Sequence, residues 1–252
     1  MEVIRKPYLG VWNIIRFNRR FFILAITLLT ILYSLAYSFP YLSKYLLAIT
    51  VILSLLVITP LIVSWYVYDF SSLYHLNWID ANAKHNNTIL NINAGFDEIT
   101  PVLKQKYKEA IIYILDFYNP DKHTEPSIER ARKIFPPAKA TIKVSTSSLP
   151  FEDCKADYIY LFLAAHEIRD EQERIAFFKE LSRVLKPSGC IYVTEHLRNI
   201  PNFAAYTIGF FHFYSEHAWL KTFKSSGLIL KEQIKNNCFI STFILTKNGN
   251  IF

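Results

Sequence analysis

Hydrophobic and polar positions follow one rule in the first third of the chain and another afterwards. Residues 21–39 ("FFILAITLLTILYSLAYSF") and 46–68 ("LLAITVILSLLVITPLIVSWYVY") contain no charged side chain, and each is close to the about 20 residues that a helix needs to cross a bilayer. Only "PYLSKY" joins them, which predicts a helical hairpin, with Pro60 kinking its second helix. From residue 88 onward, short apolar runs alternate with amphipathic stretches. "TILNI", "AIIYILDF", "ATIKV", "ADYIYLFLA" and "CIYVTE" read as five strands. Between them lie "TPVLKQKY", a helix with Thr100 as N-cap and Pro101 in its first turn, "TEPSIERARKIF", a helix capped near Thr124, and residues 171–185, capped by Asp170. In the last of these Ile175, Phe178, Leu181 and Leu185 share one helical face, and "KPSG" stops it. Strand and helix units in this order call for a parallel sheet covered on both faces. After a helix in "SEHAWLKTFKSSG", closed by Gly227, the runs "LILKEQIK" and "FISTFILTK" lie too close together for anything but an antiparallel hairpin.

This divides the chain into a basic segment with a two-helix membrane anchor (1–70), a linker (71–87) and an α/β domain (88–252). Composition supports the division, since 52% hydrophobic and 16% aromatic residues are high for a chain that meets only water. Five basic side chains precede the first apolar run and Lys44 alone occupies its turn, so the N-terminus and the α/β domain are both expected on the cytoplasmic side of a cytoplasmic or inner membrane. Trp65, Tyr66 and Tyr68 suit an interfacial belt. A signal peptide ending at "AYS" and a hairpin buried in a soluble fold are the rival readings. Most of the net charge of +7 belongs to the anchor, where anionic lipid attracts it; the α/β part is close to neutral, so no nucleic acid is expected as partner. Cys154, Cys190 and Cys238 form no CxxC pair, and no His/Cys cluster has zinc spacing, so no metal site is expected.

An open parallel sheet binds ligands beyond the carboxyl ends of its strands, which directs attention to the loops after strands one, two, four and five. "ILNINAG" runs from a strand into a turn at Gly95, and "YILDF" ends the next strand at Asp116, twenty-one residues later. Then come "SSLPFEDCKADYIYLFLAAHEI" and "FFKELSRVLKPSGCIYVTE". In this order the pieces resemble the class I S-adenosylmethionine-dependent methyltransferases, in their small-molecule branch, over roughly residues 87–247.

The resemblance implies a Rossmann-like, doubly wound sheet, mostly parallel with an antiparallel C-terminal hairpin, and S-adenosylmethionine as cofactor. It implies a cofactor site at Gly95 and Asp116, the carboxylate receiving the ribose hydroxyls, with Asn91, Asn93, Asp97 and Ser145 standing where relatives have an acidic residue, two glycines and an aspartate. Asn93 is expected to keep the turn by taking left-handed backbone, and Asp97 either to obstruct the cofactor or to pair with its positive charge. His166 and His196 are the candidate bases, His166 with a free pKa near 6.5. "NFAAYTIGFFHFYSEHAW" is expected to shape the acceptor pocket through Phe210, Phe211, His212 and Tyr214. The function expected is methyl transfer to a hydrophobic, membrane-soluble small molecule such as a lipid, a quinone-like compound or a polyene. The rivals are a membrane-tethered domain that kept the fold and lost the cofactor, and a methyltransferase acting on protein or nucleic acid.

Overall fold

The computed structural model describes residues 6–79, 86–122 and 126–247. A short helix α1 (Leu9–Phe17) precedes the two long apolar helices α2 (Arg19–Ser38) and α3 (Ser43–Ser64). By length and composition both of the latter suffice to cross a membrane, and almost none of their surface is buried. Pro60 lies inside α3, and the chain continues from α3 as π-helix over Trp65–Phe70.

The α/β part follows as β1 (Thr88–Asn93), α4 (Thr100–Lys106), β2 (Ile111–Asp116), α5 (Pro126–Ile134), β3 (Thr141–Lys143), β4 (Ala156–Phe162), α6 (Glu171–Val184), β5 (Leu185–His196), α7 (Ile200–Tyr206), α8 (Glu216–Ser225), β6 (Leu228–Lys235) and β7 (Ile240–Lys247). Seven strands form one sheet in the order β3-β2-β1-β4-β5-β7-β6. The first five run parallel, and β7 enters antiparallel between β5 and β6. The order reverses between β1 and β4, so the crevice expected of such a sheet lies beyond their carboxyl ends.

Side-chain alternation with period two divides the core between the two faces. Leu90, Ile92, Ile159, Leu161, Ile191 and Val193 meet α6 and α8 through Phe177, Phe178, Trp219 and Phe223. On the other face Ile89, Tyr160 and Tyr192 meet Leu103 of α4 and Tyr107 just after it, together with Val67, Leu73, Tyr74, Leu76 and Ile79. Residues 73–79, expected as linker, therefore help to cover the sheet.

Several local expectations need correction. Thr100 is the first residue of α4 and not its cap; the helix's leading amides, Ile99 N and Thr100 N, donate instead to Asp97 Oδ1 at 3.1 Å each. Asn93 is extended, the last residue of β1, and only Gly95 takes positive φ in this turn (+99°). The strand β5 begins at Leu185 and includes "KPSG"; Lys186 Nζ holds Asp157, which also accepts from Thr88 N at 2.8 Å and so ties β4 to the start of β1. Asp170 caps α6 as expected, accepting from Glu173 N at 2.7 Å. The Thr124 cap lies outside the described residues.

Candidate active site

The turn after β1 is built from its own side chains. Asn93 Oδ1 accepts from Gly95 N at 3.0 Å. Asn91 Nδ2 donates to Asp97 Oδ1 at 3.0 Å and to Thr100 Oγ1 at 2.7 Å. The Asp97 carboxylate is thus engaged by Asn91 and the positive end of α4, where an anion is stabilised. It braces the turn while still lining a large cavity. A Cβ on Gly95 would lie 2.9 Å from Arg132 Nη1 and 3.1 Å from Tyr118 Cδ2, so it would press on the Arg132 side chain, while the φ of +99° itself favours glycine.

Asp116 ends β2 and is buried. Its Oδ1 accepts from Tyr118 N at 2.9 Å, and its Oδ2 takes a 2.5 Å ion pair from Arg132 of α5, whose guanidinium stacks 4.4 Å from the Tyr118 ring centroid. Sequence reading missed Arg132, since nothing in the spacing of α5 marks it. Ser145 lies in an exposed turn, bonded to Ser147.

Beyond β4 and β5 the chain gathers its titratable groups. Leu163 takes left-handed backbone (φ +51°), an uncommon conformation for leucine, where β4 turns into the site. His166 Nδ1 donates to Glu195 Oε2 at 2.6 Å, and Glu195 Oε1 accepts from Ala164 N and His166 N at 3.2 Å each. On its other side His166 Nε2 is 3.3 Å from Glu167 Oε1, which is also 3.5 Å from His212 Nε2. Burial pushes the His166 pKa down, but the two carboxylates outweigh it and raise it to about 10. His166 is therefore an imidazolium at neutral pH, and the pKa near 6.5 expected of a free base does not hold here. Glu167 is held well below the usual carboxylate range: burial opposes this, and the hydrogen bonds from His166 and His212 prevail.

His196 has the opposite state. Asn202 Nδ2 donates to Leu197 O and Phe239 O, which leaves its Oδ1 to accept from His196 Nδ1 at 3.1 Å. The lone pair on Nε2 then accepts from Tyr68 Oη at 2.8 Å. Burial pushes the His196 pKa down to about 3, so the ring is neutral with a fixed tautomer. Through Tyr68 it joins the end of the apolar hairpin to the sheet.

A cavity of about 610 Å³ connects the turn after β1 with the histidines beyond β4 and β5. The 93–99 turn, His166, His196 and His212 form one wall; Asn13, Phe17 and Phe21 of α1 and α2, with Ser64 at the end of α3 and Tyr68 beyond it, form the other. Helix α1 is locked there because Gly10 N and Val11 N donate to Asp69 at 2.7 and 3.0 Å. A Cβ on Gly10 would fall 2.4 Å from Tyr68 Cβ. Of the expected acceptor residues, His212 lines the cavity with its neighbour Phe213. Phe211 is exposed, Phe210 packs on Phe203 and Phe211, and the Tyr214 hydroxyl braces the Ile168 and Arg169 carbonyls. Asp116 and Arg132 line a smaller cavity of about 290 Å³ with Tyr118 and Thr141.

Residues 90–193 match the family model described as Methyltransferase domain. These residues form a methyltransferase domain, for which S-adenosylmethionine is the cofactor. No curated protein sequence matches it. Among solved structures, an O-methyltransferase family 2 protein from Planctomyces limnophilus, solved with apigenin, is 16% identical, covers 70% of this chain and 57% of its own, and superposes with a TM-score of 0.50. The complex of the Haloferax volcanii Trm112 methyltransferase activator with a methyltransferase gives 14% identity, 66% and 85% coverage and a TM-score of 0.50. A methyltransferase from Aquifex aeolicus gives 18%, 64% and 82%, with a TM-score of 0.47. At these identities the likeness is one of fold. The cofactor supplies an electrophilic methyl group on sulfur. The residues present fit it: a side-chain-free turn at Gly95 and a buried carboxylate at Asp116 stand side by side, although Asp116 Oδ2 is held by Arg132.

Proposed function

We propose that this methyltransferase is anchored in a membrane by α2 and α3 and acts on a hydrophobic, membrane-soluble small molecule. The observation that carries the reading is the double origin of the large cavity, one wall from the apolar hairpin and the other from the catalytic ends of β1, β4 and β5. An acceptor dissolved in the bilayer would reach the methyl donor along the hairpin without crossing water. Two further features support this. The α2 and α3 side chains point outward almost everywhere, unlike those of a buried core hairpin, and Ile200, Phe203, Ile208 and Phe211 add an exposed apolar patch on α7 and the turn after it, next to α3. Within the wall, Asn13 Oδ1 is buried without a hydrogen-bond partner among the described residues, and Ser64 lines the same wall. Such an atom calls for a ligand or ordered water, and the pair suits the polar end of an otherwise apolar acceptor.

In this reading Asp116 binds the ribose, the Gly95 turn admits the cofactor backbone closely, and the Asn93, Asn91 and Asp97 network holds that turn rigid. The cavity excludes water and aligns the acceptor for in-line attack. The test is calorimetric titration of the detergent-solubilised protein with S-adenosylmethionine and S-adenosylhomocysteine, beside Asp116→Ala, followed by methyl transfer from labelled cofactor into extracted membrane lipids. Binding lost in Asp116→Ala and label in an apolar lipid fraction are expected. Label confined to water-soluble acceptors would overturn the membrane-soluble substrate, and binding to neither ligand by a folded protein would favour a domain that has lost its cofactor.

A further inference from the structure

His166, Glu167 and His212 each offer one ligand atom, and these atoms lie within 4.8 Å of one another at the cavity wall. Two of their separations, 3.3 and 3.5 Å, are those expected between ligands on a tetrahedral ion, about 3.4 Å for bonds of about 2.1 Å. The far nitrogen of His166 is oriented by the fully buried Glu195 at 2.6 Å. A carboxylate behind a ligating histidine is the usual outer support of a metal site, fixing the ring and raising its basicity. Glu195 therefore stands behind His166 as Glu167 stands beside it, one carboxylate for support and one as a ligand. We propose that His166, Glu167 and His212 bind a divalent transition-metal ion of the zinc, cobalt or iron(II) type, with Glu195 positioning His166.

The donor set of two imidazoles and one carboxylate selects that class over magnesium or calcium, which favour all-oxygen shells. Three protein ligands leave the remaining positions open toward the cavity, as in catalytic rather than structural sites. Resting on the methyltransferase reading, the ion would take an acceptor hydroxyl there and lower its pKa, its proton passing to water before the oxygen attacks the methyl group. Arg169 is the competing cation. Its guanidinium lies against the His212 ring and donates to His212 O at 2.6 Å, so loading requires it to leave the ring nitrogens.

The test uses the full-length, untagged chain in detergent, stripped with chelator and titrated with Co²⁺ and Zn²⁺. One Co²⁺ per chain with ligand-field absorption in the visible is expected. Co²⁺ binding should be lost in His212→Ala, fall about 10- to 100-fold in Glu195→Gln, and tighten in Arg169→Met. Since His212 lies on a partly exposed turn, thermal melting of His212→Ala should match wild type and separate lost ligation from lost fold. No stoichiometric Co²⁺, or binding unaffected by His212→Ala, would overturn the proposal. S-adenosylhomocysteine affinity, measured on the same samples, reports independently on the methyltransferase reading.

Discussion

Arg132→Met deletes the guanidinium that holds Asp116 and keeps most of the stem beside Tyr118 and the Gly95 turn. The pair is short, 2.5 Å, between side chains 24% and 6% exposed. A hydrogen bond between charged groups in such a setting is worth about 1.5–3 kcal/mol, and ribose hydroxyls can reach Oδ2 only after it breaks. That amount is withheld from cofactor binding in the wild type. The variant should therefore bind S-adenosylhomocysteine about 10- to 150-fold more tightly, at about 1.4 kcal/mol per tenfold. Without ligand it should be less stable by about 1–3 kcal/mol, because the buried carboxylate keeps only Tyr118 N. Calorimetric titration and thermal melting in the same detergent read both effects, and their opposite signs are the signature. Unchanged affinity would refute the idea that Arg132 competes with the cofactor; weaker affinity would make Arg132 one of its contacts.

Other consequences follow from the hairpin and the buried histidine. Gly10→Ala should lower stability by about 1–3 kcal/mol through overpacking against Tyr68, read as a lower melting temperature. Asp69→Ala should release α1, which loses its two charged amide acceptors; limited proteolysis within residues 9–17 should accelerate and cofactor affinity fall. Tyr68→Phe leaves His196 Nε2 buried without a donor and should cost about 1–3 kcal/mol. His196 itself predicts acid sensitivity. With a native pKa of about 3 against about 6.5 unfolded, only the unfolded chain takes up this proton as pH falls from 6.5. Its contribution is intact above pH 6.5 and shrinks by about 2 kcal/mol by pH 5, so melting curves of His196→Phe should be flatter over that interval than those of the wild type.

The alternation of apolar runs was enough to anticipate the sheet, its parallel body and its antiparallel edge, because the inner strands β2, β1, β4, β5 and β7 all carry runs of buried residues. The segment "FFKELSRVLKPSG", which carried most of the resemblance, turns out to be scaffold: Glu180 accepts from Leu149 N at 2.7 Å, Arg183 holds the Leu149 and Phe151 carbonyls, and Lys186 holds Asp157. Its legibility comes from those fixed distances. What stayed hidden depends on encounters between distant residues. Arg132 reaches Asp116 from another helix, and His166 meets His212 across 46 residues. Helix α1 had a readable signal, since its buried residues Gly10, Asn13 and Phe17 are spaced three and four apart, but it is too short to stand out beside the hairpin. The histidine pKa values were beyond the sequence for the same reason: two neighbours with the same side chain are driven in opposite directions by which carboxylates and amides surround each.

The clasp between Asp69 and the amides of Gly10 and Val11 has a practical meaning for anyone preparing this enzyme. Long apolar helices ahead of a domain are commonly cut away to obtain a soluble fragment. Here a fragment beginning at residue 71 would discard Tyr68, the partner of His196, together with Asn13, Phe17 and Ser64. It would keep all seven strands yet present an open trough in place of a chamber, with the apolar sheet face under Val67 newly wet.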